Sequence, residues 1–391
     1  MNKKSICILS LVLAMVMLLA ACGSGNAASG SNVKKDGSGL TEINIAFELP
    51  MTGGAGWMGP LERAGAEIAL KDYADDFAAM GYKINPIYND HQAENDIAAV
   101  NVSKDIELYK VPLIAATFTG CISTMLPSAE SAGVVVLNSV AQGDTLVGLS
   151  DNLFNICPAY RLMADALADY LYNERGFRKL ACMGDNSSMS TTHNDNMVAA
   201  WEALGGEVVL VFESETDASN YNSACAQVLE AGADVVLISN LDESRIDMQL
   251  STFKQLGAND LVFCNMGNRT MGRDYEYEKI IASMKVFSTD STIAAYEKDY
   301  PVQGYEKYSD GAIYISSFYN TIMVINQAFH YCVDNKLEIT GDNLKTALNA
   351  LGTFDIQGGK VTLIEGNTIL APIEIQAGKN DQGEVVKVYY E

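Results

Sequence analysis

Residues 111–142 read VPLIAATFTGCISTMLPSAESAGVVVLNSVAQ, and this stretch decides the fold. Val111 to Ala116 is an apolar run without alternation, the pattern of a strand covered on both faces. Ser123 to Ala132 has helical spacing, and Val134 to Leu137 is a second buried strand. Two such strands joined by a helix make a βαβ unit, which demands a parallel sheet with helices on both sides.

The same alternation extends outward in both directions. Before this stretch, Ile43 to Phe47 reads as a strand, Pro60 to Phe77 as a helix with Leu61, Ala64, Ile68 and Tyr73 on one side, Tyr82 to Tyr88 as an alternating strand, and Ile97 to Tyr109 as a helix. After it the pattern restarts. Met163 to Tyr172, Asn194 to Leu204, Tyr221 to Ala231 and Asp247 to Leu256 have helical spacing. Between them stand strand-like runs at Lys179 to Met183, Glu207 to Phe212, Asp234 to Ile238 and Leu261 to Cys264. Two successive α/β units of similar size follow from this. The last third is less regular: one long apolar helix within Ser309 to Asn335, a short helix over Asn343 to Leu351, then β-like segments with glycine turns.

The N-terminus carries Lys3 and Lys4, an apolar core from Ile6 to Ala21, and the run Leu19-Ala20-Ala21-Cys22-Gly23. Charge, apolar core and small residues before a cysteine stand in the order of a bacterial lipoprotein signal, too short for a spanning helix. Residues 1–21 are expected to be removed and Cys22 lipidated, anchoring an extracytoplasmic protein to the cell membrane; an ordinary secretory signal with a chance cysteine is the alternative. Residues 22–40, rich in Gly, Ser, Asn and Ala, read as a flexible tether. No second run is long enough to span a membrane.

The net charge of -23 repels nucleic acid and anionic headgroups without selecting a ligand. Apart from Cys7 and Cys22, six cysteines are scattered without a CxxC pair or metal-like spacing, several inside apolar runs; buried free thiols are expected rather than disulfides. Only three histidines occur, His91, His193 and His330, with no HExxH cluster, no GxSxG elbow and no phosphate-loop lysine motif. The residues therefore argue against a hydrolase and call for neither cofactor nor metal.

Loops beyond the carboxyl ends of parallel strands are where such sheets take ligands. Thr119-Gly120-Cys121 follows a strand and opens a helix, whose free N–H groups attract electron-rich groups; Thr119 and Ser123 add hydroxyls, although a plain helix cap has the same residues. Asn138 to Gln142 ends the next strand and would form the adjacent wall. Trp57, in the glycine-bracketed loop Gly53 to Gly59, reads either as an aromatic lid or as a surface-packed ring.

Several segments taken in order resemble the branched-chain amino acid-binding family of type I periplasmic-binding fold. They are Ile45 to Gly54, Gly59 to Leu70, Tyr88 to Gln92, Ala116 to Ser123, Asn138 to Gln142 and Tyr308 to Tyr314. The resemblance implies two Rossmann-like lobes joined by a three-crossing hinge, with crossings near 157–159, 286–290 and 353–356. Lobe 1 would be 41–157 plus 290–353, and lobe 2 would be 158–289 plus 354–391. It implies the substrate-binding lipoprotein of an ABC importer, a monomer with a permease as partner, closing on a small polar molecule. The site would comprise Trp57, Thr119, Gly120, Cys121, Ser123, Ser139, Ala141 and Gln142 from lobe 1, and Met189, Asp242 and Asn268 from lobe 2. The family's aromatic residues near 189 and 242 and its acid near 267 are replaced here by Met189, Leu241-Asp242 and Gly267-Asn268. Asp242 would stand in for the ammonium partner, unless it merely starts a solvated helix; a cyclic amide, nucleobase-like compound or peptide fragment would fit as well as an amino acid. A sensory module reporting to a membrane receptor is the rival use of this fold.

Overall fold

In the computed structural model the described residues are 37, 39–240, 243–267, 276–284, 312–357, 359–379 and 383–390. Residues 43–391 cluster as one compact unit. Cys22, Asp242, Asn268 and the expected crossing at 286–290 lie outside the described residues.

The first α/β lobe begins with β1 (Thr41–Leu49), α1 (Gly59–Asp72), α2 (Ala74–Ala79), β2 (Tyr82–Asp90) and α3 (Asn95–Lys104), which runs into a π-helical turn at Asp105–Tyr109. Then come β3 (Leu113–Ala116), α4 (Thr119–Ser131), β4 (Val135–Asn138) and β5 (Leu153–Asn155). The second lobe is built from α5 (Tyr160–Asp169), β6 (Lys179–Asp185), α6 (Ser188–Ala203), β7 (Glu207–Ser214), α7 (Asn222–Ala231), β8 (Val235–Ser239), α8 (Glu243–Gln255), β9 (Val262–Met266) and β10 (Glu278–Met284). The chain ends with α9 (Ala312–Asp334), α10 (Gly341–Leu351), β11 (Thr353–Ile356), β12 (Gly359–Ile364), β13 (Thr368–Leu370), β14 (Ile373–Lys379) and β15 (Glu384–Tyr389).

Among the described residues these strands make two sheets, in the orders β11-β12-β13-β5-β4-β3-β1-β2 and β15-β14-β10-β9-β8-β6-β7. The central pairs are parallel, with Phe47 beside Ala115 and Leu137 beside Phe154 in the first sheet, and Cys182 beside Leu237 in the second. Each sheet is covered on both faces, as the unbroken apolar strands required. Ala46, Ile114 and Val136 pack under α3 and α4, whereas Phe47, Ala115 and Leu137 join the core that includes α9.

One expectation about the lobes needs correction. Residues 354–370 belong to the first sheet: β11 and β12 pair antiparallel, and β13 lies parallel to β5 with Thr368 beside Asn155. The chain moves to the second sheet only between β13 and β14, at Ala371-Pro372, where β14 pairs antiparallel with β10. Glycine turns announce hairpins but not the sheet they join; that is fixed by long-range pairing.

Helix α1 packs directly on α9. A Cβ placed on Gly65 would sit 2.1 Å from the Ile315 carbonyl oxygen, so only glycine permits this approach. Leu61, Ala64, Ile68 and Ile315 close the contact.

Candidate functional site

In the first lobe the loop after β1 is pinned by one carboxylate. Asp90, at the end of β2, accepts from the Met51 N–H (2.9 Å), the Thr52 N–H (3.2 Å), the Thr52 hydroxyl (2.5 Å) and the Gln92 N–H (3.0 Å). Burial pushes its pKa up, but these donors outweigh burial and hold it below the ordinary carboxylate range. Trp57, further along the loop, is 42% exposed and meets Tyr314 edge-on at 5.3 Å.

Helix α4 starts at Thr119, four residues before the run with helical spacing, so Thr119, Gly120 and Cys121 open the helix as expected and form its first turn. The chain enters through Phe118 at φ +68°, a conformation that costs a bulky residue energy and that recurs at functional sites. No side chain caps the helix, leaving its first N–H groups available. Gly120 is exposed and lets Asn95 approach; a Cβ there would lie 2.6 Å from Asn95 Oδ1. Thr119 packs on Gly143, where a Cβ would lie 2.6 Å from its hydroxyl. Cys121 is buried with Sγ 3.8 Å from His91 Nδ1, and burial, helped by Glu48 and Glu94, pushes its thiol up to about 11. His91 Nδ1 accepts from the Ala93 N–H, and burial lowers its pKa to about 4 against the pull of Asp90. The Ser123 hydroxyl donates to the Thr119 carbonyl (2.9 Å), within its own helix.

The loop after β4 is built around Asn138. Its amide donates to the Ala141 carbonyl (2.6 Å) and to Asn155 Oδ1 (2.8 Å), and its oxygen accepts from the Ala141 N–H (2.8 Å), an Asx turn. Ser139 is fully buried and accepts from the Thr321 hydroxyl at 2.9 Å, tying the loop to α9. Gln142 accepts the Tyr160 N–H through its carbonyl (3.0 Å), while its buried Nε2 has no partner. The structure thus brings the loops of Thr119 and Asn138–Gln142 together. Ser123 and Ser139 spend their hydroxyls on the scaffold, and Cys121 is covered.

In the second lobe the strand ends are cross-braced by buried polar side chains. Asp185 accepts from the Ser187 N–H (3.0 Å) and from Asn240 (3.1 Å), whose own oxygen accepts from Gln249 (3.0 Å). The Ser190 and Ser239 hydroxyls are 3.0 Å apart, and Ser239 donates to Asn194 (2.7 Å). All six of Asp185, Ser190, Asn194, Ser239, Asn240 and Gln249 are buried, so α6 and α8 start from a rigid polar base. Met189 is half-buried on the first turn of α6. The signal for this base was the run of Ser, Asn and Asp directly after β6 and β8.

The lobes also touch. Asp144, after β4, accepts from Asn196 of α6 at 2.5 Å and from the Arg161 N–H at 3.1 Å. Within the second lobe, Tyr160 packs edge-on against His193 at 4.3 Å. His193 is buried with both ring nitrogens unpartnered, and burial holds its pKa near 4, so the ring is neutral.

Three buried acids, Glu48, Asp105 and Glu62, belong to the first lobe. Glu48 receives Asn89 (2.8 Å) and Asn101 (3.0 Å), and Asn89 also donates to Asp105 (2.9 Å). Burial raises both carboxyls, and the Asp105 charge pushes Glu48 further. Glu62, on the first turn of α1, is fully buried, and neither oxygen has a hydrogen-bond partner. Burial raises it to about 8, and the nearby Thr117 hydroxyl draws it the other way. Among the described residues no group of three or more His, Cys, Asp or Glu is placed to hold a metal. An open groove of about 410 Å³ between the start of α7 and Asp247, Ser251 and Gln255 of α8 lies on the helical flank of the second lobe.

A periplasmic binding protein family model matches residues 42–368. The chain belongs to the periplasmic binding protein family. This periplasmic binding protein resembles solved structures throughout its folded length. A leucine binding protein, LivK, from Thermotoga maritima is 17% identical with a TM-score of 0.71, over 88% of this chain and 98% of that one. The branched-chain amino acid transporter substrate binding protein LivJ from Streptococcus pneumoniae, in complex with isoleucine, is 16% identical with a TM-score of 0.69, over 90% and 100%. An ABC transporter solute binding protein from R. palustris, in complex with 4-hydroxybenzoate, is 14% identical with a TM-score of 0.71, over 90% and 97%. Among curated proteins none matches. The type I periplasmic-binding fold expected from the sequence is therefore present, and family and fold are those of solute-binding proteins.

Proposed function

We propose that this periplasmic binding protein is the extracytoplasmic solute receptor of an ABC importer, acting by binding alone. It is anchored through Cys22 and captures a small polar molecule, an amino acid or a related compound, between its lobes. The observation that carries the reading is a polar surface at the strand ends of each lobe. In lobe 1 an uncapped helix start at Thr119-Gly120 packs by the Asn138–Gln142 loop; in lobe 2 a buried hydrogen-bonded base supports the first turn of α6, with Met189. Rigid polar loops at the carboxyl ends of parallel strands suit recognition of a small polar solute. Hinge closure would bring the two surfaces onto the solute, and a permease would read the closed form. Met189, with Asp242 and Asn268, would supply the lobe 2 contacts, and the receptor would work as a monomer.

The test is a thermal-shift screen of the purified protein against amino acids, nucleosides, purines, short peptides, polyamines and aromatic acids. A ligand at about 100 times its Kd adds about 2.7 kcal/mol to stability, a clear upward shift. A shift with one chemical class supports the reading; a well-folded sample that responds to none overturns it. Lipidation is read separately: Cys22→Ala is expected to move the protein from the membrane to the soluble fraction.

A further inference from the structure

We propose that Glu62 supplies the negative partner for a cationic nitrogen of the solute, so that the receptor selects amines, ammonium-bearing amino acids or guanidines over anions. The inference rests on the solute-receptor reading above and names the substrate class for the same site.

Glu62 follows directly on the Trp57 loop and stands near Thr117, at the carboxyl end of β3, which places it on the ligand side of the first sheet. It has no exposed surface, and neither carboxyl oxygen has a hydrogen-bond partner. A buried carboxyl without partners is costly, and a local structural reason would normally be found for it. The usual reasons are missing. The helix start is closed through Met58, whose N–H bonds the Ala55 carbonyl at 3.0 Å, with no side-chain cap from Glu62. The adjacent cation, Arg63, pairs with Glu67 at 2.7 Å and lies over the Tyr88 ring.

The facing helix continues the pattern. Ser316 and Ser317 of α9, the helix that packs along α1, carry buried hydroxyls that are also without partners. The acid offers acceptors for an N–H-rich group and, once ionised, repels an anion. The net charge of -23 further concentrates cations around the molecule. Because Glu62 is covered in this state, pairing requires the residues over it to move aside. The loop that precedes α1 is held at its start by Asp90 and at its end by the contact of Trp57 with Tyr314. When the pair forms, the carboxyl gives its proton to solvent and the ligand nitrogen keeps its own.

The experiment is isothermal titration of the purified full chain and its Glu62→Gln variant with putrescine, L-arginine, L-leucine and 4-hydroxybenzoate. Glutamine keeps the size and loses the charge. The expected result is binding of at least one nitrogen-bearing probe, weakened at least about tenfold by Glu62→Gln. Wild type alone gives a second readout: titration in two buffers of different ionisation heat is expected to show about one proton released per ligand bound. Unchanged affinity in Glu62→Gln, no proton release, or binding of 4-hydroxybenzoate alone overturns the proposal and leaves the receptor reading standing. No binding by any probe to folded wild type counts against both.

Discussion

Replacing Glu62 by glutamine is expected to stabilise the ligand-free protein, by an amount that depends on pH in a set direction. A glutamate in the unfolded chain titrates near 4.5, whereas burial holds Glu62 at about 8. At pH 7, folding forces a proton onto a group that is ionised when unfolded. The cost is about 1.4 kcal/mol for each pH unit above 4.5, or about 3 kcal/mol in all. Because the folded pKa is raised, the wild-type stability is complete below pH 4.5 and is lost progressively as pH rises to 8. Glutamine has no proton to acquire and nearly the same volume. The assay is urea unfolding followed by the fluorescence of the fully buried Trp201. The stability difference, variant minus wild type, is expected to grow from about 1 kcal/mol at pH 5 to about 3 kcal/mol at pH 7, and to level off above pH 8. Taking the difference cancels the contribution of Glu48, which burial also raises. A difference that does not change with pH, or a variant less stable than wild type at pH 7, refutes the reasoning.

Gly65→Ala drives a methyl group against the Ile315 carbonyl and is expected to lower stability by about 1–3 kcal/mol; an unshifted urea midpoint would count against the close packing of α1 on α9. Asp90→Ala leaves the Met51 and Thr52 N–H groups without their acceptor, at about 1–3 kcal/mol. Since Asp90 is held below the usual carboxylate range, its contribution is present at neutral pH and lost on acidification, so the gap between variant and wild type should close as pH falls through that range. Asn196→Ala removes the side-chain contact from lobe 2 to Asp144; small-angle scattering of the ligand-free protein is expected to show a larger radius of gyration with unchanged circular dichroism, and identical curves would show that this contact does not restrain the lobes.

The central sheets were legible because a strand covered on both faces must be apolar throughout, as residues 113–116 and 235–238 are. The opening of α4 at Thr119-Gly120-Cys121 was legible too, but not the entry through Phe118, whose positive φ nothing but glycine or asparagine signals in a sequence. The hairpins of β11 to β13 were legible as strands, yet their sheet depends on the pairing of Thr368 with Asn155, a contact between distant residues that local spacing does not encode. Glu62 passed unnoticed for a related reason: helical spacing was read from Leu61, Ala64 and Ile68, and the acid beside them counted as an ordinary polar position.

The polar groups at the strand ends divide by what they do with their hydrogen bonds. Asp90, Asn138, Asp185, Ser190 and Ser239 are bonded to backbone or to one another, and their work is to hold loops in place. Gln142, His193 and Glu62 are buried and, among the described residues, keep atoms unpaired. Sequence alone cannot separate these two sets, since both consist of ordinary polar residues. A scaffold residue is already stabilised in the ligand-free state, so its replacement should reduce folding stability first. An unpaired group costs stability until something binds it, so its replacement should cost affinity while leaving the free protein as stable or more so. Opposite signs in stability and affinity at Glu62, beside losses of both at Asp90, would mark the first as a recognition group and the second as its support.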